Sequence, residues 1–429
     1  MKKIFYFASC MLALMLVSCE KSQQVENDYA TGEFATLNDA DLTNNEKIFK
    51  NAIVAYVNNT VFPTYEGMAD NAIKLADQVT AILNAAQAGN QKDNTALVEK
   101  ACEYWTASRK YWEQSEAFLY GPAGDYSIDP HIDSWPFDQA AFEAFISDPE
   151  QIAKLRKQMA DGTFVVTDGS EFDEYGLMGY HALEYALFAL TDNGQKSTAH
   201  KVGDLTLEQW TFMASVANDL RNQAILLEAA WKGYGRVSAA KRAFLDQAKM
   251  KGGTYPYLYN GYAAYMLQPG VGDKKYATYQ EAAEQLIAGC IDIADEVGNS
   301  KIGAAANAIP GSEDYEADHD NIESPYSLHS IIDFQDNIVS IQHAFFGALP
   351  TDASVNDFVK QKNKDVSTAV TTTSAAAFTA IGLIQEPFVE HAQDPQSKLA
   401  IAAVEKLQDA LKNAWAVVSG TQWIDEEEE

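Results

Sequence analysis

Apolar residues recur at three- and four-residue intervals along nearly the whole chain, the period of amphipathic helices. "NNEKIFKNAIVAYVNNTVF" carries this period to Pro63, where a stop is predicted, and "YEGMADNAIKLADQVTAILNAA" resumes it as far as Gly89. "NTALVEKACEYWTASRKYWEQSEAFLY" ends at the Gly121-Pro122 break, and "GPAGDYSIDPHIDSWPFD" after it reads as a loop. Short helices flank Pro149, and "DGTFVVTDGS" is the one stretch where a small hairpin fits. The absence of proline between Pro149 and Pro256 leaves room for a helix over Gly176–Leu190 and for "LTLEQWTFMASVANDLRNQAILLEAAW". Beyond Gly233 and Gly235 the period restarts in "TYQEAAEQLIAGCIDIADEV", "SLHSIIDFQDNIVSIQHAFF", "DASVNDFVKQKNKDVSTAVTTTSAAAFTAIGLI" and "PQSKLAIAAVEKLQDALKNAWAVV".

Strand-like alternation is nearly absent. The pattern predicts an all-α protein of two helical-bundle domains packed side by side, residues 41–240 and 241–420, with the seam near 235–255. Residues 421–429 read as an acidic tail. The equal lengths leave a duplication open, although no sequence repeat establishes one.

The N-terminus departs from this pattern. Lys2 and Lys3 precede a short apolar run ending in "LVSC", which resembles a bacterial lipobox with Cys19 as the lipidated residue. Residues 1–18 then form a lipoprotein signal peptide and 19–40 a polar tether. Lipid on Cys19 would hold the protein at a bacterial cell envelope, on its periplasmic face or at the cell surface, without a transmembrane helix. Cys102 and Cys290 lie within helical patterns and read as buried free thiols, with no CxxC spacing.

Charge excludes one class of partner. With 31 basic and 61 acidic residues the chain carries -30, the opposite of the basic footprint that nucleic acid requires. Such a field attracts cations, but it names no site.

The candidate chemistry lies in polar groups that interrupt apolar helices. His181 and Glu184, at i and i+3, stand in "GLMGYHALEYALFAL", which is otherwise apolar on all sides and therefore predicted buried. A buried carboxylate needs a partner, and His181, another side chain or a metal ion would serve. The HExxH spacing of a catalytic zinc helix is absent. Trp105, Arg109, Trp112 and Glu116 form a second stripe, read either as an internal ion pair or as a cleft lining. Ser330, Asp333, Asn337 and Ser340 form a third, flanked by His329, Asp336 and His343. Alone, that stripe would read as a solvated face. Polar groups on several facing helices are, however, how bundles build ligand and metal sites.

Together these residues resemble the imelysin family of bacterial envelope proteins. The carrying motif is GxHxxE, here Gly179, His181 and Glu184. Its companions are "RKYWEQSEAFLYGP" with Arg109, Glu116 and Gly121, "IDSWP" with Asp133, Trp135 and Pro136, and "YSLHSIIDF…NIVSI…FFG" with Ser327, Ser330, Asp333 and Gly347. The resemblance implies an all-helical, two-bundle protein with its site where the halves meet. It also implies a link to iron acquisition, and the family has been classed with metallopeptidases.

The expected ligand is a divalent or ferric metal ion, iron first among the candidates and zinc admitted, or a small polar molecule. Expected metal ligands are His181, Glu184, Glu116 and Asp333, with Arg109 orienting Glu116. Asp133, Trp135, Gly179, Ser327 and Ser330 complete the ligand-binding set that the resemblance implies. An iron-transport protein is an expected partner. One alternative is a metallopeptidase using His181 and Glu184, for which no separate general base is identified. The other is a non-catalytic interaction scaffold.

Overall fold

Residues 29–160, 177–191, 193–312 and 320–424 are described in the computed structural model of the chain. The lipobox, the hairpin candidate at 161–170 and the end of the acidic tail lie outside them. Among the described residues the fold is all-α apart from one two-stranded antiparallel ribbon. No described helix is long and apolar enough to cross a membrane.

The helices that frame the site are α1 (Asn44–Ala55), α2 (Phe62–Ala88), α3 (Ala96–Glu113), α4 (Ile128–Ile132), α5 (Gly179–Leu187), α6 (Leu207–Lys232), α7 (Tyr279–Glu296), α8 (Ser330–Phe346), α9 (Val355–Lys362), α10 (Lys364–Ile381) and α11 (Pro395–Ser419). Helix α2 packs on both α3 and α6, and α3 and α6 each pack against α5. Helices α7, α8, α10 and α11 form a second group. The two groups meet where α8 crosses α3 and the 3-10 turn Glu116–Phe118, which α7 also touches.

Three differences from the sequence reading have physical causes. Pro63 does not end the first helix. A single π-turn, Tyr56–Val61, lets the Phe62 N–H bond Val57 O, five residues back. That shift of register lets Pro63, which has no N–H, sit in the first turn of α2. The resulting rod belongs to both groups, because α1 packs on α7 and α9, with Phe49 and Phe358 rings 4.3 Å apart. Next, the long segment before Gly382 is two helices, because Asn363 caps α10 by accepting from the Asp365 and Val366 amides. Last, α5 stops at Leu187. Phe188–Leu190 leave it as strand β1 and pair with β2, Ser197–Ala199.

The stretch read as a tether is fixed to the fold from Tyr29 onward. Tyr29 stacks on Tyr234 and Tyr259, and Leu37 N–H bonds the Tyr279 hydroxyl. Its polar composition hid a few aromatic and backbone anchors. Cys102 and Cys290 are both free, the first half-buried and the second buried. Burial pushes the Cys102 thiol up to about 12, so it is a weak nucleophile at neutral pH.

Candidate metal centre

Helix α3 supplies the core of the site. Trp105, Arg109 and Trp112 are fully buried, but α3 ends at Glu113, so Glu116 belongs to the following 3-10 turn rather than to the stripe. The close ion pairs of Arg109 are made with other carboxylates. Its guanidinium meets Glu113 Oε1 at 2.5 Å and Glu323 Oε1 at 2.6 Å, bonds Asp133 Oδ1, and lies 3.6 Å from Asp333 Oδ2. Glu116 instead faces Lys301, whose Nζ is 3.8 Å from it and 2.8 Å from Glu323 Oε1.

Asp133 follows directly on α4. Its Oδ2 accepts from Trp112 Nε1 at 2.6 Å, and its Oδ1 lies 3.2 Å from His181 Nε2. Gly179 makes this approach possible. It has φ +75, and a Cβ built there would lie 2.0 Å from Ile132 O, on the residue before Asp133. The backbones of α4 and α5 therefore touch at a point only glycine can occupy.

Glu184 is saturated. Its Oε1 accepts from Tyr326 N (2.9 Å), Ser327 N (2.7 Å) and Ser327 Oγ (2.8 Å), and its Oε2 lies 3.2 Å from His181 Nδ1. An ionised carboxylate only accepts, so Nδ1 donates in this contact, and Nε2, which makes no hydrogen bond although Asp133 Oδ1 is 3.2 Å away, is the nitrogen that could offer a lone pair to a metal. A carboxylate that holds the far nitrogen of a histidine is the usual support behind a metal-ligating imidazole. Asp333 is equally occupied, by Ser324 Oγ and His329 Nδ1, each at 2.6 Å. The His329 and Arg109 charges hold its carboxyl down to about 2 against the opposing effect of burial. Glu184 and Asp333, both expected as metal ligands, thus have other partners. They fasten the loop Glu323–His329, and Ser330 Oγ bonds Glu323 O at its end.

That loop delivers Glu323, which the sequence reading missed, together with Glu113 and Lys301. Glu113 could have been found from its i+4 spacing to Arg109. Glu323 sits outside any period, and Lys301 closes the π-turn after α7, so neither carries a pattern signal. Donor atoms of Asp133, His181 and Glu323 lie within 4.8 Å of one another, and so do those of Glu113, Glu116 and Asp133. Trp135 is beside the first trio, its ring 6.3 Å from that of His181 and 4.9 Å from Lys301 Nζ.

Two observations bear on what this arrangement can hold. His181 Nε2 and Glu323 Oε2 are buried without a hydrogen-bond partner. A buried polar atom left unpaired costs stability unless something fills its place. Moreover, six buried carboxylates (Glu113, Glu116, Asp133, Glu184, Glu323 and Asp333) face the buried cations Arg109 and Lys301, with half-buried His329 beside Asp333. With all six ionised and His329 protonated, the cluster would have an excess of three negative charges, which protons or a cation must offset. One imidazole nitrogen and two carboxylates suit iron, zinc or manganese.

Burial raises the Glu113 carboxyl to about 8, against the lowering effect of Arg109 and Lys301, and raises Glu116 well above its ordinary range. Between its ordinary 4.5 and about 8, the native protein holds a proton on Glu113 that the unfolded chain has released. Stability of metal-free protein therefore falls as pH rises through that window. Glu113→Gln should flatten the decline, as read from urea midpoints in a chelator-containing pH series. An unchanged slope would mean that Glu113 is ionised in the native state.

The third stripe is an interface. Ser330, Asp333, Asn337 and Ser340 are all buried against the first group of helices. Asn337 Nδ2 donates to Glu113 Oε2 at 2.6 Å, and Ser340 Oγ accepts from Ala117 N at 3.1 Å. One-chain periodicity gives the face but not what covers it.

Comparison with known proteins places this architecture. The family model for imelysin matches residues 61–414. The iron-regulated protein A of Synechococcus elongatus is 24% identical over 373 residues, 85% of each chain. The crystal structure of a putative iron-regulated protein A precursor from Parabacteroides distasonis is similar with a TM-score of 0.70 at 23% identity, covering 89% of this chain and 98% of that one. An imelysin-like protein from Psychrobacter arcticum is similar with a TM-score of 0.55 at 12% identity, over 91% and 99% of the two chains.

Proposed function

The chain belongs to the imelysin family, and on that premise we propose that it binds a metal ion, iron first, at the buried cluster His181–Asp133–Glu323 as part of iron acquisition. The carrying observation is the pair of buried, unpartnered donor atoms, His181 Nε2 and Glu323 Oε2, inside a cluster with excess negative charge. The iron-regulated relatives favour iron over the other metals that this donor set accepts. In this reading His181, Asp133 and Glu323 hold the ion. Glu184 orients the histidine and fastens the loop, while Arg109 bridges Asp133, Glu323 and Glu113, and Lys301 pairs with Glu323. The ion supplies the positive charge that the cluster lacks.

The donors come from both groups of helices, so binding joins them. An ion bound only by the native state stabilises it by about 2.7 kcal/mol at one hundred times its dissociation constant. The site's burial favours a binder over a peptidase, since a polypeptide substrate must reach the metal. Glu184, the remaining acid of the motif, is saturated and is a poor general base. We place the protein at the cell envelope through lipid on Cys19, which intact-mass spectrometry of the membrane fraction tests directly.

Protein purified without chelators should contain about one ion per chain by element-resolved mass spectrometry, and His181→Ala should lose it. Failure of the wild type to take up ferrous, ferric or zinc ions in titration would sink the binding reading. Peptide hydrolysis that disappears in both His181→Ala and Glu184→Ala, with the fold intact, would install the peptidase instead.

A further inference from the structure

Residues 232–275 reverse the charge balance of the chain. They hold eight of its 31 basic residues and two of its 61 acidic ones, with six of its 21 tyrosines. Lys232 and Lys241 are absorbed in ion pairs with Glu66, Asp70 and Glu228. The others reach the surface, Lys275 in an ion pair with Asp125 at 2.8 Å. Lys249, Lys251, Lys274 and Lys275 are exposed, while Arg236 and Arg242 are half-buried over Phe34 and Tyr234.

Contacts make this surface continuous. The Gly252 N–H beside Lys251 donates to the Tyr29 hydroxyl, and Tyr29 stacks on Tyr234 and Tyr259. Tyr255 packs on Tyr126, Tyr126 on Tyr257, and Lys275 lies over Tyr257. Arg236, Tyr265 and Val271 line one shallow cavity of about 400 Å³, and Val271 stands 53% exposed at the tip of its loop. Glu33, Asp125, Asp246 and Asp273 share this face and offset part of its charge, yet bases outnumber acids here on a strongly acidic protein.

The second observation is where the N-terminal segment is pinned. Besides the Tyr29 stacking, Ala30 N–H bonds Tyr259 O at 2.8 Å, and Arg236 Nε bonds Gly32 O at 2.7 Å. Tyr29 stands ten residue steps beyond Cys19. Fully extended they reach at most about 36 Å. With lipid on Cys19, this face lies within that distance of the bilayer.

We propose that the face bearing Lys249, Lys251, Lys274, Lys275 and Val271 docks on anionic lipid headgroups, so that the anchored protein sits on the membrane in one orientation. The proposal rests on the lipidation of Cys19 described above. Lysines attract the phosphate layer, tyrosines and a loop-tip valine suit the headgroup boundary, and a basic patch beside an acyl anchor is a recognised second signal for membranes. Charges act over about 8 Å at physiological salt, so the local patch, rather than the distant acidic surface, decides the contact.

The test uses the acylated mature protein in vesicles, with an environment-sensitive probe on Val271→Cys and a headgroup quencher in the lipid. Cys102 and Cys290 are poor competitors for the label, since burial pushes both thiols up. Vesicles with about one-third phosphatidylglycerol should quench the probe at least threefold more than zwitterionic vesicles. Charge reversal at Lys249, Lys251, Lys274 and Lys275, or high salt, should abolish the difference. A probe on Leu383→Cys, exposed beyond the end of α10, should show none. Equal quenching at 271 in both lipids overturns the docking. Intact mass decides the anchor separately. If Cys19 proves unmodified, the anchoring premise falls, and flotation of the same protein with anionic vesicles still decides whether the face binds lipid.

Discussion

Gly179→Ala should be among the most damaging single-methyl changes in the protein, costing about 3 kcal/mol or more. The new Cβ would stand 2.0 Å from Ile132 O, 2.3 Å from Ile132 C and 2.5 Å from its Cα, all backbone atoms of α4. A flexible side chain could swing away, but these cannot. The α4 and α5 backbones would have to part, carrying Asp133 away from His181, so metal binding should fall along with stability. Part of the cost comes from φ +75 alone, and Gly89 isolates it. Gly89 has φ +71 with nothing within 4 Å of its hypothetical Cβ. Gly89→Ala should therefore cost about 1 kcal/mol, the price of left-handed backbone without a clash. Urea unfolding of the two variants reads the difference. Equal midpoints for both, with wild-type metal binding at position 179, would remove the close approach from the explanation of the motif.

Much of this was open to reading in one chain, and the parts that were not share a cause. His181 and Glu184 stood out because two polar side chains interrupt a helix apolar on every side. Their roles did not, because the Glu184 partners Tyr326 and Ser327 lie more than 140 residues away in a loop with no period. Arg109 was visible in a tryptophan stripe, but its contact with Glu323 spans 214 residues. The stripe Ser330–Ser340 was legible as a face, while its burial depends on α3 lying across it. Pro63 read as a stop because local rules make it one, and the π-turn that accommodates it has no composition signal. Period and punctuation thus report what a segment does by itself. A polar residue's partner is set by tertiary contacts that they do not encode.

Glu184 offers a way to separate the two tasks assigned to the motif glutamate. Glu184→Ala removes the acceptor for the Tyr326 and Ser327 amides and the Ser327 hydroxyl, leaving buried donors unpaired. The loop that carries Glu323 loses its fastening, at a cost of about 3–5 kcal/mol. Metal binding should disappear with it. Glu184→Gln acts differently. Its amide oxygen can still accept from the loop, which obliges its NH2 to face His181. Nδ1 must then accept, the ring proton moves to Nε2, and the lone pair needed for a metal is lost from that atom. The glutamine variant should unfold within about 1–2 kcal/mol of wild type yet bind metal 10–100-fold more weakly, the usual loss when the support behind a ligand is removed. Nitrogen NMR of the metal-free protein reads the tautomer without any metal. Wild type should show the proton on Nδ1 of His181 and Glu184→Gln on Nε2. If the glutamine variant keeps the wild-type tautomer but still fails to bind metal, the Glu184 carboxylate must itself contact the ion. The ligand set His181, Asp133 and Glu323 would then have to be redrawn to include it.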